Sequence, residues 1–533
     1  MLRIEPLTLD LQSRALYDRF VPVDHPLRQF DACLDFSFIL PLVAERYHDE
    51  IGRPAEHPEQ MFCLLFAQFY LNLSDEKICL AAHESLAPRL FPHLGADETP
   101  PHPTTLQKFR AHRLDADVYL TIHFELLRQA EAHGLLSRQE RQIFDTSHVR
   151  SNTRIVSPAR LLLEARGNVV REVKKIDAEY GATLEAKMAE DRLAYREERE
   201  RRKVEGKPKL TKDEKIQAAI GRVTKTLNNV RERIATKQLV ATERLNVALE
   251  ILAKVIADRE KGAAERIVSL HDAEARKGKK TTVTWDGRKL AVNLTDESYF
   301  ITAASCAPGN DNDCELLLPL LDQQQKHFDL VPPELTADKA ADLDHLREQI
   351  AQRGILAHIP VAPAPNGKGI DLFRADDFVY NPEEQTLTCP ASQIARNPKR
   401  DKVQSRDGYC FKFPLKTCRE CPLNSRCQPP ESATTKRHEG RAVTISAHWT
   451  TAQAAKKHVR TEHFKEAYRR RGRIEPKIWE LTYHGQRRCR YRGDERSQVQ
   501  LLITVVVVNG KRLTRLLHQR VHPPRPRRRS HLI

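Results

Sequence analysis

The sequence predicts an α/β protein built around a mixed sheet, on three observations. Period-two strand patterns cluster between Thr281 and Cys306, helical periodicity dominates most of the chain on either side, and from Cys306 to about residue 365 helices alternate with single strands. Hydrophobic residues make up 40% and charged residues 30% of the 533 residues, enough apolar material for sizeable cores and against wholesale disorder. At roughly 100–200 residues per domain, this length accommodates about three or four structural units. The longest apolar run, Leu501–Val508, is far short of the roughly 18 residues that a membrane helix needs. MLRIEPLTLDLQSR has no apolar signal core either. The expectation is a cytoplasmic, nucleoid-associated protein with no membrane partner.

Residues 1–140 read as an N-terminal helical DNA-binding domain. Pro58 opens a helical run, EQMFCLLFAQFYLNL, which Ser74 and Asp75 break while capping the next helix. PPHPTTLQKFRAHR offers a further start at Thr104 or Thr105, and it places Lys108, Arg110 and Arg113 on a basic helix after a turn, as in a helix-turn-helix module. RQIFDTSHVRS reads as a short buried strand delivering the carboxylate of Asp145. About residues 158–262 are rich in Ala, Glu, Lys and Arg at helical spacing, so they are expected as a long helical insertion, paired as a hairpin or coiled coil with solvated charged faces.

Three strands follow, at Thr281–Trp285, Lys289–Asn293 and Tyr299–Cys306, separated by Asp286-Gly287 and Asp296-Glu297. Next come the helix CELLLPLLDQQQ, the strand PELTADKA, the helix DLDHLREQIAQRG and the strand HIPVAPAP. Meander, helix, strand, helix, strand is the order of a ribonuclease H-like mixed sheet. The core is expected over 141–376 and, after a cysteine-rich insert at 377–430, over 431–517. Pro360–Gly369 is a linker, and 518–533 form a basic tail expected to be disordered.

Charge narrows the function. Lys and Arg number 88 against 72 Asp and Glu, a net charge of +16, which suits a polyanion such as nucleic acid. Five of the eleven cysteines fall between Cys389 and Cys427. Cys418-x2-Cys421, with Cys427 after it and Cys389 before it, supplies four thiolates for a tetrahedral, structural Zn²⁺ in an insert poor in apolar residues. Cys410 is a possible substitute ligand. In HFKEAYRRRGRIEPKIWELTYHG, the residues Tyr468, Arg471 and Glu475 fall at i, i+3 and i+7, one face of a continuous helix.

Tyr468-x2-Arg471-x3-Glu475 is similar to the C-terminal signature of DDE transposases from bacterial insertion sequences, and RRCRYRGDERSQVQLLITVVVVNGKRLTRLL resembles the family's ending. FDTSHVRSN and LTADKA resemble the blocks around the first two catalytic acids, which implies Asp145 and Asp338 in those roles with Glu475 as the third. VPVDHPLRQFD, GRPAEHPEQMF, TTLQKFR, GRKLAVNL and APGNDNDCELLLPLLD also look like the family, with Lys289 and Asp313 as supporting residues, and a cysteine-rich insert before the last acid marks one branch of it. The sequence departs from the pattern at Ala340-Ala341, and at Thr482, where the family has Lys or Arg. Lys477, Arg487 or Arg488 could supply that missing cation.

The resemblance implies two Mg²⁺ ions held by Asp145, Asp338 and Glu475, with Tyr468 and Arg471 positioning the scissile phosphate. It also implies binding to terminal inverted repeats, cleavage there, joining to target DNA and a homodimer in the synaptic complex. The alternatives are an inactive or domesticated DNA-binding protein and a nuclease that cuts without joining.

Overall fold

The structure is a computed structural model that describes residues 2, 5–48, 54–154, 156–260, 265–280, 282–361, 372–403, 406–428 and 440–521. Most of the Pro360–Gly369 linker and of the basic tail lies outside these residues. Two compact units are present, one of residues 1–137, 146–329 and 475–533, the other of residues 138–145 and 330–474. Strand β1 (Gln142–Arg150) contributes its first four residues to the second unit and the rest to the first.

In the first unit, the helix Pro58–Tyr70 is buried on every side from Gln60 to Phe69, as its nearly unbroken apolar run requires. Against it pack the helices Asp75–Glu84, Pro103–Arg113 and Asp494–Val521, and the helix Ala116–Ala132 packs on the last of these. Ser74 caps the first of these as expected, its hydroxyl accepting from Lys77 N at 3.3 Å. The next starts one residue before the expected threonines. Pro103 occupies the first turn, where its missing N–H costs nothing, and the His102 ring accepts from Thr104 N.

The expected hairpin at 158–262 is instead four helices, Pro158–Ile176, Ala178–Val204, Lys212–Ala235 and Glu243–Glu260, around one core that includes Leu162, Val169, Val223, Val230, Leu245 and Leu252. Apolar stripes on all four helices need a common interior, which a pair of helices does not supply.

The meander is also displaced. Strands β2 (Arg276–Lys280), β3 (Val283–Thr295) and β4 (Ile301–Pro308) pair antiparallel in that order. The two strands expected at Thr281–Trp285 and Lys289–Asn293 are one strand, and Asp286-Gly287 lies inside it. Gly287 is required there for closeness, since a Cβ would stand 2.2 Å from Val149 O of β1. The missing first strand, RKGKK, was hidden by its lysines, which are uncommon in strands. The second expected turn is real: residues 296–298 turn, and Tyr299 follows at φ 62. The apolar run Leu501–Val508 is wholly buried within the helix Asp494–Val521. Among the described residues, no helix is long and apolar enough to cross a membrane.

The second unit holds parallel strands, the start of β1, β5 (Glu334–Thr336) and β6 (Leu356–His358), with the helix Asp344–Gln352 between the last two. β6 ends at His358, the first residue of the expected HIPVAPAP strand, and residues 362–365 of that strand lie outside the described residues. Two small antiparallel sheets follow between Val379 and Ser446, packed on a core of Phe378, Leu387, Phe411, Phe413, Val443 and Ile445. Antiparallel pairing in the first unit, and parallel and antiparallel pairing in the second, give the mixed α/β character that the sequence predicts.

Candidate functional site

Asp145 and Asp338 are brought to the same level of neighbouring strands. The register of β1 and β5 pairs Gln142 with Leu335 and Ile143 with Thr336. Each aspartate therefore comes two residues after the last paired position on its strand. Neighbouring strands lie about 4.8 Å apart, so two carboxylates at matching positions share one locality. Asp145 is half-buried, and Arg471 Nη2 stands 3.1 Å from its Oδ2. Asp338 leaves β5 as the cap of a short turn, accepting from Ala340 N at 2.9 Å. Both carboxylates supply the hard oxygen donors that Mg²⁺ prefers.

The helix expected through Tyr468, Arg471 and Glu475 is not continuous. An α-helix, Glu462–Arg469, gives way to a 3₁₀ turn at Arg470–Arg473 before a second helix, Ile474–Leu481. Pro476 accounts for the break: it cannot donate to Gly472 O, and its ring crowds that carbonyl, so the preceding turn tightens. The shared face inferred from a uniform helical period is corrected accordingly. Tyr468 is half-buried and stacks on Phe464 at 5.6 Å. Glu475 is exposed near the start of the second helix, and it belongs to the first unit, whereas Asp145, Asp338, Tyr468 and Arg471 belong to the second.

Of the proposed substitutes for the cation missing at Thr482, Lys477 is committed elsewhere. It is buried and bonds Glu480 Oε2 at 2.8 Å, and Lys511 completes the cluster at 2.7 Å from Glu480 Oε1. Burial lowers the Lys477 pKa despite Glu480. Burial would raise that of Glu480, but the two lysines hold it below its ordinary value. Arg487 and Arg488 are exposed and line, with Thr482, Asn152, Asp75 and Arg110, a cleft of about 600 Å³.

The basic helix is less free than its composition suggests. Arg110 grips Asp75 through two bonds of 2.8 and 3.0 Å, and Arg113 lies over the Tyr47 ring at 4.3 Å. Of the three, Lys108 is exposed, while Arg110 and Arg113 are half-buried. Burial would raise the Asp75 pKa, yet Arg110 holds it below the usual carboxylate value. Lys289 and Asp313 pair with each other at 2.5 Å.

Cys389, Cys418, Cys421 and Cys427 line one cavity of about 30 Å³ in the second unit, and Cys410 is not among its lining residues. Backbone N–H groups of Gln393 and Arg441 reach the sulfurs of Cys389 and Cys418, each at 3.4 Å. Four convergent sulfurs, two of them receiving N–H groups, fit Zn²⁺ in donor chemistry. They are more widely spread than a closed site. Among the described residues, the one His/Cys/Asp/Glu group with ligand atoms all within 4.8 Å is Glu334, His358 and His463. No spacing rule singles out these three, because they come from β5, β6 and the helix Glu462–Arg469; only the pairing of β5 with β6 brings the first two together.

A family model described as Transposase domain (DUF772) matches residues 15–112, and one described as Transposase DDE domain matches residues 388–514. These matches support a DDE transposase of an insertion sequence. No curated protein and no solved structure matches the chain. The first transposase match takes in Lys108 and Arg110. The second covers the four cysteines, Tyr468, Arg471 and Glu475, while Asp145 and Asp338 lie outside both.

Proposed function

We propose that this protein is a DNA transposase that binds the terminal inverted repeats of its insertion sequence, cleaves the ends and joins them to target DNA, with Asp145, Asp338 and Glu475 as its catalytic carboxylates. The observation that carries the reading is that Asp145 and Asp338 each follow by two residues the paired positions Ile143 and Thr336 of parallel strands. Glu475 as third acid rests on the signature shared with Tyr468 and Arg471, which falls within the matched DDE domain.

The three carboxylates would hold two Mg²⁺ ions, which supply the positive charge that stabilises attacking and leaving oxygens during in-line displacement. Arg471 orients the Asp145 carboxylate and keeps further N–H donors for a phosphate oxygen. Tyr468, three residues before Arg471, offers a hydroxyl for the scissile strand. Lys108 contacts the DNA backbone, while Arg110 fixes the helix Pro103–Arg113 against Asp75 and so acts on DNA through placement. The four cysteines hold a structural Zn²⁺ that stiffens a small sheet pair. Two copies synapse the two ends.

Thr482 favours a second reading, a descendant that binds ends without cutting them. It lacks the cation of the family pattern, and its hydroxyl is occupied by Ile478 O at 3.0 Å. Arg487 and Arg488, in the same cleft, are the residues that would compensate.

A supercoiled donor plasmid carrying the terminal repeats separates the readings. Incubation with Mg²⁺ is expected to give cleaved ends and joined products. Nicks alone would indicate a nuclease, and a mobility shift without cuts the inactive descendant. For zinc, the double variant Cys418→Ser/Cys421→Ser is expected to carry about one metal equivalent fewer than the wild type, as for one four-thiolate site.

A further inference from the structure

We propose that Glu334, His358 and His463 form a third metal site, distinct from both the catalytic carboxylates and the cysteines, that takes Zn²⁺ or a similar borderline divalent ion. One Glu334 carboxylate faces both imidazoles: His358 Nε2 lies 3.0 Å from Oε2, and His463 Nε2 lies 3.2 Å from Oε1. Zinc bonds of about 2.0–2.1 Å in tetrahedral geometry put neighbouring ligand atoms about 3.3 Å apart. Both histidine–carboxylate separations stand near that value, and the ligand atoms of the three residues all lie within 4.8 Å of one another.

The surroundings fit ligation. His358 is fully buried, and its other ring nitrogen, Nδ1, is 3.1 Å from His458 Nε2. Ligating histidines ordinarily have that second nitrogen anchored, which fixes the ring and its tautomer. On binding, His358 Nε2 and His463 Nε2 become ligands in their neutral forms, and the proton of His358 resides on Nδ1, donated to His458. Phe464 packs against the rings of His358 and His458 at 6.1 and 5.7 Å, covering one side. Arg141 Nε lies 3.5 Å from Glu334 Oε2 and competes with the ion for that oxygen. His463 is half-exposed, giving the ion a path from solvent. Two imidazoles favour zinc and its neighbours over Mg²⁺, and three protein ligands leave one position for water.

The site would act on position, because it joins elements that carry the catalytic groups. Glu334 opens β5, four residues before Asp338. His463 sits on the helix of Tyr468, which continues into the turn of Arg471. A bound ion would staple that helix to β5 and β6.

The test compares metal content after dialysis of the full-length protein against a chelator-buffered zinc solution. His463→Ala changes an exposed side chain, and Glu334→Gln keeps the shape of the carboxylate. Each is expected to hold one equivalent fewer than wild type, while His83→Ala, at an exposed histidine outside the cluster, matches wild type. With Co²⁺ in place of zinc, the two variants should lose visible absorption of nitrogen and oxygen ligation and keep any thiolate charge-transfer band. The comparison is a difference, so it reads the same whether or not the cysteines bind metal or the enzyme cuts DNA. Equal metal content and equal spectra in wild type and His463→Ala would overturn the proposal.

Discussion

Arg471 holds Asp145 from 326 positions away in the chain, through one bond of 3.1 Å. Replacing it with Lys keeps the charge but not the planar fork that can hold a carboxylate and a phosphate oxygen together. Arg471→Lys is expected to lower kcat for end cleavage about 10-fold or more, with terminal-repeat affinity changed by less than about 3-fold, the size of a lost transition-state contact. A gel-shift titration beside single-turnover cleavage checks it. Asp75 supports a second prediction. Arg110 holds its folded-state pKa below that of the unfolded chain, so the pair's stabilising contribution is complete above about pH 4 and is lost as pH falls through the lower, folded value. Both side chains are only 14% exposed. Asp75→Asn should therefore cost about 1–3 kcal/mol at neutral pH, and the gap between the two melting curves should close in more acidic buffer.

At the scale of elements, the helices were the most legible, because apolar residues recur every three or four positions along them. Ser74 and Pro58 punctuate the chain where the structure does. The strands were less so. RKGKK is invisible to any rule that weighs strand propensity, and Asp286-Gly287 imitates a hairpin turn where the glycine instead admits the close approach of β1. The break at Arg470–Arg473 was foreshadowed by Pro476, but reading it required weighing that proline above the i, i+3, i+7 spacing. Asp145 and Asp338 were found through the words around them, FDTSH and LTADK. Glu334, His358 and His463 went unseen because nothing in the chain links their positions before β5 and β6 pair. The four-helix core gives an element-scale prediction. Leu252 is fully buried in it, and Leu252→Ala should cost about 2–5 kcal/mol from lost burial and the cavity left behind. Denaturant unfolding measures this.

Across the whole molecule, long-range polar ties hold segments far apart in sequence. Arg288 of β3 is completely buried and binds Asp272 at 2.7 and 2.8 Å, and it reaches Asp494, at the start of the last long helix, at 2.6 Å. Arg288→Met would leave Asp272 buried without its partner, at a cost of about 3–5 kcal/mol, visible as a lower melting temperature. Asn509 makes a similar tie, bonding both backbone groups of Ile301 at 3.0 and 2.8 Å. The net charge of +16 predicts affinity for DNA that falls steeply with salt, by roughly 10³–10⁵ between 50 and 200 mM if about 6–10 phosphates are contacted. The charge was plain from composition, whereas its assignment to particular residues was not, since Arg110 and Lys477 turn inward to carboxylates.

The most direct measurement is cleavage of terminal-repeat DNA by Asp145→Asn and Asp338→Asn, read beside their binding to the same DNA. Loss of roughly 10³-fold or more in Mg²⁺-dependent cleavage, as expected when members of one catalytic unit are removed, with binding unchanged, is the predicted result. Cleavage at the wild-type rate by either variant would contradict the account.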